Sequence, residues 1–430
     1  RNMSAVRANK QLLGTENRLS KSMKRLSSGY KINSAEDNPA GMAISNKMKA
    51  QIEALDQAKS NSSDAQNVMK IADGALSEVS SMLQRIRELA VQGASDTYSE
   101  NDKKALQSEI DELTKEVDRI SGDTEYNTKS LLDGSSDTRV YVRQKDANGN
   151  MTQVNSYITR INFSDNVASD KYELTVNSLA TQATGSLASA TKPDAEGTIS
   201  INGVSVAVKA DMTQDEYIQA LQNAATTAGT TMQVNGDSIS FLSNEYGSDS
   251  TVNISLSSSL KALAGAGYEN ADDGSGNMQL KSNGKDAVVT GGENLSDKTI
   301  RADGNRVYVV GNSGFSMDFL LSSDMDMTAG SSNLQIDISD IGNMAVQIGA
   351  NEGQEMKIRI PEVSSQTLYL DTVDVTVKGG ADKAMSTLDE AIEYVSGVRS
   401  RIGAFQNRLE SAESSLSETS ENMTGAYSNI

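Results

Sequence analysis

The sequence contains no cysteine, no histidine and no tryptophan. Without cysteine the chain has no disulfide scaffold and no thiolate nucleophile, and without histidine it lacks the commonest general base and metal ligand. Without tryptophan it also lacks the usual platform on which a glycosidase stacks a sugar. We therefore predict that the protein is not an enzyme and that it holds no metal and no cofactor.

One segment resembles the start of a calcium-binding loop. DANGN, residues 146–150, places oxygen-bearing side chains at alternate positions. A calcium loop requires glycine at its sixth position and glutamate at its twelfth, but Met151 occupies the sixth and no glutamate the twelfth. We interpret the segment as a turn.

The charge of the chain is strongly acidic and unevenly distributed. The formal net charge is −19, of which residues 135–380 carry about −14. Such a surface repels nucleic acid and anionic lipid, although the first turns of the chain are basic. No apolar run approaches the length of about 18 residues that a bilayer span needs. We expect neither nucleic-acid binding nor membrane insertion.

Bulky core residues are scarce, with five phenylalanines, three prolines and 37% hydrophobic residues. This composition favours narrow helix seams over one large globular core. The clearest seam lies in residues 44–92, where apolar or small residues recur at alternating spacings of four and three, a heptad pattern. It consists of Ala65, Met69, Ala72, Leu76, Val79, Leu83, Ile86 and Ala90. The pattern predicts a helix of about 49 residues, roughly 73 Å long.

Two further helices show the same spacing. Ser99 and Asp102 form a capping box that predicts the start of a second helix, which carries Leu106, Ile110 and Val117. Residues 381–430 repeat the pattern. Their apolar stripe is Met385, Leu388, Ile392, Val395, Val398, Ile402, Phe405, Leu409, Ala412 and Leu416. A single apolar stripe must be buried against a partner.

The middle of the chain has a different texture. Residues 135–380 are rich in Gly, Ser, Thr, Asn and Asp and contain short alternating runs that predict strands. These runs are TISINGVSVAVK, DSISFL, STVNISL and DTVDVTV. A helical segment, QDEYIQALQNAATTAG, follows TISINGVSVAVK and precedes TMQVNGDSISF, which is a β-α-β order. The fold class we predict is a mainly α rod of long coiled-coil-like helices from both chain ends, with an inserted β-rich α+β central domain.

Four segments, in order along the chain, resemble those of the bacterial flagellins. They are RLSSGYKINSAEDNPAGMAIS, LQRIRELAVQGA, MAVQIGANEGQEM and RSRIGAFQNRLESAESSL. The resemblance covers roughly residues 1–134 and 340–430, whereas the middle matches only a short β-α-β motif of flagellin inserts. It implies helical ends that pair along a filament axis and a variable middle that projects outward.

The resemblance also implies a division of the chain into domains. We expect residues 1–42 to form an inner helix and a spoke loop, and residues 43–134 and 381–430 to form the two halves of the helical rod. Residues 135–340 would form the variable β-rich module or modules, and 341–380 a β-hairpin region returning to the rod.

The segment KRLSSGYKINSAEDNPAG, residues 24–41, separates two helical patterns. Gly29 and Gly41 would supply unusual backbone angles, and Pro39 would prevent a continuous helix. Together with Asn33 they would form a spoke that connects the inner helix to the rod. The alternative is an ordinary helix–helix loop.

Arg85 and its neighbours on the first long helix would, on their own, be an ordinary solvated helix face. The resemblance implies instead that this face contacts neighbouring protofilaments and docks to the Toll-like receptor that senses flagellin. The contact set it implies is Gln84, Arg85, Leu89 and Glu109. An arginine beside an exposed leucine would suit a small hot spot.

The function implied is that of a structural subunit of the bacterial flagellar filament, secreted by flagellar type III export and located outside the cell. Its partners would be other flagellin subunits, an export chaperone, the filament cap and the host Toll-like receptor. The alternatives are a hook-filament junction protein and a surface adhesin. Flagellins continue beyond the position of Ile430 through another amphipathic helix, so we expect the first 28 residues to lack their usual partner here and this chain to polymerise poorly.

Overall fold

The computed structural model describes residues 3–95, 97–145, 150–164, 166–271, 276–328, 330–339 and 342–429. Residues 146–149, which hold most of DANGN, lie outside the described residues. The helices of the described residues are α1 (Met3–Ser28), α2 (Pro39–Gly93), α3 (Glu100–Asp123), α4 (Gln214–Thr227) and α5 (Gly380–Asn429). Four short 3-10 helices span Asn155–Tyr157, Ser258–Leu263, Asn312–Gly314 and Leu370–Thr372.

The strands lie between α3 and α5. They are β1 (Glu125–Tyr126), β2 (Lys129–Ser130), β3 (Arg139–Lys145), β4 (Met151–Gln153), β5 (Ile158–Phe163), β6 (Lys171–Ser178), β7 (Gln182–Leu187), β8 (Gly197–Ile201), β9 (Val204–Val208), β10 (Thr230–Asn235), β11 (Ser238–Tyr246), β12 (Thr251–Leu256), β13 (Glu269–Asn270), β14 (Met278–Asn283), β15 (Val288–Gly291), β16 (Thr299–Asp303), β17 (Arg306–Val310), β18 (Ser316–Leu321), β19 (Ser332–Ser339), β20 (Met344–Gln347) and β21 (Glu355–Ile358). The predicted fold class, helical ends with a β-rich middle, is confirmed.

The chain forms two compact units. The first comprises Arg1–Ile71, Met344–Ile358 and Ser400–Ile430. In it α2 packs against the C-terminal part of α5 around Leu55, Ala58 and Leu416. Hydrogen bonds reinforce this packing, because the Gln66 side chain donates to Glu413 over 3.0 Å. The antiparallel hairpin β20–β21 belongs to this unit.

The second unit comprises Ala72–Asn343 and Arg359–Arg399. The predicted seam of α2 is buried throughout its length here, from Ala72 to Ala90. The predicted Ser99–Asp102 capping box at the start of α3 is present, with both reciprocal hydrogen bonds. On α5 the buried face includes Ala384 and Ala391, whereas Met385 and Ile392 of the predicted stripe are only half-buried. Residue size alone therefore placed the α5 stripe slightly off the buried face.

One predicted strand is wrong. DTVDVTV, residues 371–377, begins in a 3-10 helix and continues without strand pairing. Val373 and Val375 are buried, and their backbone groups bond to a side chain, because Gln107 of α3 donates to the Val373 carbonyl and accepts from the Val375 amide. The alternating valines therefore reflect burial beside α3, and a glutamine side chain replaces a neighbouring strand.

The second unit also contains two β modules. The split module contains the sheets β15-β6-β19-β3-β4 and β16-β17-β18-β5, whose inner faces share one apolar core. The inserted module contains the sheets β13-β14-β12-β8-β9 and β10-β11-β7 together with α4. The predicted β-α-β order is confirmed, since α4 lies between β9 and β10 and buries Tyr217 and Leu221 in the core of this module.

The inserted module interrupts the split module between β6 and β15, so the chain crosses between them twice. The two chain segments that connect the modules run antiparallel beside each other, with Thr181 paired to Lys285. The Asp286 carboxylate accepts hydrogen bonds from the amides of Ser248 and Gly304 over 2.8 and 2.9 Å. Gly247, with φ 103°, lies so close to Gly304 that a Cβ atom on Gly247 would be 2.6 Å from the Gly304 Cα. Backbone contacts join the two modules.

Candidate interaction surface

The C-terminal part of α2 exposes a charged face because its seam residues turn inward. Leu83 and Ile86 are fully buried, and the helical repeat therefore directs Gln84 and Arg85 to the surface. The Arg85 guanidinium donates to Glu109 Oε1 of α3 over 2.7 and 3.0 Å, and to Glu88 over 3.2 Å. The structure thus brings Gln84, Arg85 and Glu109 to one surface.

These exposed charges are paired. The hydrogen bonds that Arg85 donates, first to Glu109 and then to Glu88, raise the pKa of Arg85 further above its usual value. Arg87 donates two hydrogen bonds to the carboxylate of Asp389 on α5, the shorter over 2.6 Å, which lowers the pKa of Asp389. Exposed pairs contribute little to stability, and a partner can compete for them. Their chemistry suits a partner that offers its own carboxylate or guanidinium.

The expectation that Leu89 is exposed is wrong. Its side chain is 1% exposed, whereas that of Val91 is 47% exposed. The buried face of α2 widens at this end, because Ile86, Leu89, Ala90 and Gly93 follow the i, i+3, i+4, i+7 spacing of a buried stripe. A Cβ atom on Gly93 would lie 2.9 Å from that of Val375. This spacing is visible in the sequence, but the prediction followed only the heptad seam, which does not include Leu89.

A shallow depression of about 590 Å³ lies beside Arg85. Its lining consists of Gln84, Arg87, Glu88, Val91 and Gln92. Apart from Gln84, the prediction from sequence did not include these residues. We call the exposed residues Gln84, Arg85, Glu88, Val91 and Glu109 the α2 face. Its apolar element is Val91.

The predicted spoke loop lies in the first unit, between α1 and α2. Gly29 has the predicted unusual backbone, with φ 74°. The Asn33 amide donates to Asp37 over 3.2 Å, and the Asn33 side chain donates to the Tyr30 carbonyl over 3.0 Å. The Asn33 hydrogen bond, together with Lys21, Ser34 and Arg25, holds the pKa of Asp37 below its usual value despite the opposing effect of burial.

Gly41 behaves differently from the prediction. It lies within α2 and has a helical backbone. Its amide donates to the Asn38 side chain over 3.0 Å, which caps the helix, and Pro39 occupies the first helical position. A Cβ atom on Gly41 would lie 2.6 Å from Ile32 Cδ1 and 2.7 Å from Asn38 Nδ2. The close packing at Gly41, and not its backbone angle, is what favours a small residue there.

The α1 helix exposes a stripe of large apolar residues. None of its residues is buried. We call Leu12, Leu19, Met23 and Leu26 the α1 stripe; they lie on one side of the helix and each is more than half exposed. Solvent does not stabilise such a stripe, so it marks an interaction surface.

Comparison with known proteins identifies the family. The family model described as bacterial flagellin N-terminal helical region matches residues 1–137, and that of the bacterial flagellin C-terminal helical region matches residues 385–430. The flagellin of Clostridium tyrobutyricum is 30% identical over 436 residues, which cover 100% of this chain and 90% of the relative. The chain belongs to the flagellin family. Flagellin D of Vibrio anguillarum is 26% identical, covering 100% of this chain and 87% of that flagellin.

Solved structures similar to this flagellin chain include FliC from Burkholderia pseudomallei, with 18% identity and a TM-score of 0.26 over 80% of this chain and 99% of that one. The flagellar hook associated protein-3 from Legionella pneumophila has 15% identity and a TM-score of 0.32, over 89% of this chain and 97% of that one.

Flagellins are structural proteins of the extracellular flagellar filament, and the chain is accordingly a filament subunit and not an enzyme. No helix of the described residues combines the length and the apolar character that a membrane span requires. Within the same residues no cluster of three potential metal ligands occurs.

Proposed function

We propose that the subunit assembles into the filament by burying the α1 stripe against neighbouring copies. The observation that carries this proposal is the absence of any buried residue on α1, although the helix displays several large apolar side chains. A heterologous contact of this kind propagates as a helical filament.

Burial of this stripe favours assembly. Burying one leucine side chain contributes about 1.5–3 kcal/mol. The loss of one such contact would therefore weaken subunit addition by about 10- to 150-fold, at about 1.4 kcal/mol for each factor of ten.

The test uses the full-length natural protein, mixed with filament seeds and observed by electron microscopy. Leu19→Asp places a carboxylate in the α1 stripe and should raise the protein concentration needed for elongation by at least about tenfold, if one leucine contact is lost. Asn17→Asp is the matched control, since Asn17 is an exposed polar residue on the opposite side of the same helix. If both variants elongate like the parent protein, α1 does not mediate assembly.

We also propose that the α2 face contacts neighbouring protofilaments and is the ligand surface for the host Toll-like receptor. Gln84, Arg85 and Glu109 are the contact residues, and Leu89 supports them from below. The proposal is supported by the position of these side chains on one surface beside exposed Val91. Their guanidinium and carboxylate groups could pair with charges of a partner in place of each other.

The two roles of the α2 face are separable. Arg85→Ala and Glu109→Ala would be compared with the parent in a receptor reporter assay and in seeded assembly. Arg119→Ala is the matched control, because Arg119 is another exposed arginine paired with carboxylates on α3. Lost signalling with normal assembly indicates a dedicated receptor surface, and loss of both indicates a shared one. The proposal is contradicted if the variants change neither signalling nor assembly, or if Arg119→Ala has the same effects.

The route and the partners complete the proposal. Monomers would leave the cell through flagellar type III export in a largely unfolded state, aided by an export chaperone, and would fold beneath the filament cap. The absence of cysteine suits this route, since no disulfide has to form or break in transit. A secretion assay in cells with and without a functional export apparatus tests it, and equal release from both would refute it.

The proposed domain division remains the one given by the sequence: residues 1–42, 43–134, 135–340, 341–380 and 381–430. Between the candidate functions, similarity to a flagellin over the whole chain supports the filament subunit over a junction protein or an adhesin.

A further inference from the structure

Arg306 lies where the split module meets α5. It is the first residue of β17, and its side chain is 22% exposed. One guanidinium nitrogen lies 2.6 Å from Glu390 of α5, and another lies 3.3 Å from Asp318 of the adjacent strand β18. A single arginine therefore connects a strand of the split module to the long C-terminal helix through charge-assisted hydrogen bonds.

The same arginine stacks on Tyr369, in the segment that leads back to α5. The Arg306 guanidinium carbon is 4.2 Å from the centroid of the Tyr369 ring, and that of Arg160 of β5 is 4.7 Å from it. Arg160 also pairs with Asp371 over 2.5 Å. Two arginines of the split module thus contact one tyrosine of the returning segment.

The backbone at this contact is strained. Tyr369 and Arg160 both adopt the left-handed conformation, with φ of 56° and 53°, which bulky residues rarely take. Such strain persists only where surrounding contacts enforce it, and it occurs most often at sites that fix a geometry for function. The arginine–tyrosine stacking and the three ion pairs supply the enforcing contacts here.

The helix that pairs with Arg306 also pairs with α2. Asp389, the residue before Glu390, pairs with Arg87 of α2. Adjacent carboxylates of α5 therefore bind two elements, one pointing to α2 and the other to the split module. The orientation of the split module is in this way linked through α5 to the helix that carries Arg85.

We infer that Arg306 is the positioning residue that fixes the split module on α5, the helix that also pairs with α2. The inference concerns the geometry of the subunit and goes beyond the proposed function. It holds whether or not the α2 face binds a receptor.

The inference is tested by measuring a distance within the full chain. Because the sequence has no cysteine, Glu78→Cys on α2 and Val310→Cys on β17 introduce two unique sites for spin labels, both at exposed residues. Electron–electron resonance then gives the distribution of distances between α2 and the split module. It is recorded for the parent pair, for Arg306→Gln and Glu390→Gln, and for the control Arg301→Gln, an exposed arginine of the neighbouring strand.

We expect one narrow distribution in the parent pair and in the control. Arg306→Gln should broaden it or add a second distance, and Glu390→Gln should change it in the same direction by a smaller amount. Amide hydrogen exchange in residues 366–373 should become about tenfold faster in Arg306→Gln, which corresponds to about 1.4 kcal/mol. Circular dichroism of all variants should remain that of the parent.

An unchanged, narrow distribution in Arg306→Gln would overturn the inference. If that variant does not fold, Glu390→Gln decides, since its exposed side chain can be replaced without removing a buried group. In that case an unchanged distribution in Glu390→Gln refutes the positioning role. Filament assembly and receptor signalling are not part of this readout, so its result is independent of the proposed function.

Discussion

The junction between the two β modules depends on Gly247, and Gly247→Ala should loosen it. The residue has φ 103°, a conformation in which a side chain is strained by about 1–3 kcal/mol. The added Cβ would lie 2.6 Å from the Gly304 Cα and 2.7 Å from the Gly304 nitrogen. These are backbone atoms that cannot rotate away, and overpacking of this kind costs about 1–3 kcal/mol. The two effects together destabilise the junction by about 2–6 kcal/mol.

The assay should be local, because a chain of several modules does not unfold in one step and a single melting temperature would mix them. Hydrogen exchange of the amides at the crossing reports the junction directly. The amide of Gly247 donates to Thr181, and that of Gly284 to Ser250. A loss of at least about 2 kcal/mol should speed their exchange by about 30-fold or more.

The matched control is Gly265→Ala in the inserted module. Gly265 is not in the left-handed region, and an added Cβ would meet its nearest neighbours at 3.7–3.8 Å, an ordinary contact. That change should alter exchange at the crossing by less than about threefold, the usual range for a substitution away from special features. If Gly247→Ala behaves like Gly265→Ala, the close approach to Gly304 does not hold the modules together.

Three further changes have defined expectations. Ser99→Ala removes the α3 cap and should destabilise this helix by about 1 kcal/mol, seen as faster exchange of the Asp102 amide. Gly74→Ala lies in the interior of α2 with open space around its Cβ and should stabilise the helix by about 0.5–1 kcal/mol, measured by urea titration followed by helix dichroism. The pKa of Asp37 is lower in the folded chain, so its contribution is present above the unfolded pKa of about 3.9 and is lost as the pH falls through the folded value. The protection factor of the Asn33 amide, which corrects its exchange rate for the intrinsic rate at each pH, should therefore fall on acidification, and Asp37→Asn should abolish that pH dependence.

The helical part of the fold could be predicted because its information is local. Burial on one side of a helix repeats within the sequence itself, so the seam from Ala65 to Ala90 and the Ser99 cap were readable. The same reasoning failed for Gly41 and Leu89. The role of Gly41 depends on its contacts with Ile32 and Asn38, which the sequence pattern does not show. The burial of Leu89 depends likewise on what packs against the end of its helix.

The β modules were predictable only as strands. Strand order depends on pairings between distant residues, such as β3 with β19, for which no local pattern exists. The valines of residues 371–377 imitate a strand because burial beside α3 repeats with the same alternation. The contact of Arg306 with Glu390 joins residues 84 positions apart, and charge alone could not select this pair among the many acids of the chain.

The chain enters and leaves the inserted module through the neighbouring residues Thr181 and Lys285. Antiparallel partners are separated by about 5 Å, a gap that almost any short turn can close. The segment between these two residues can therefore change in length without requiring the ends of β6 and β15 to separate. Variation within the inserted module therefore need not alter the helices at the two ends of the chain.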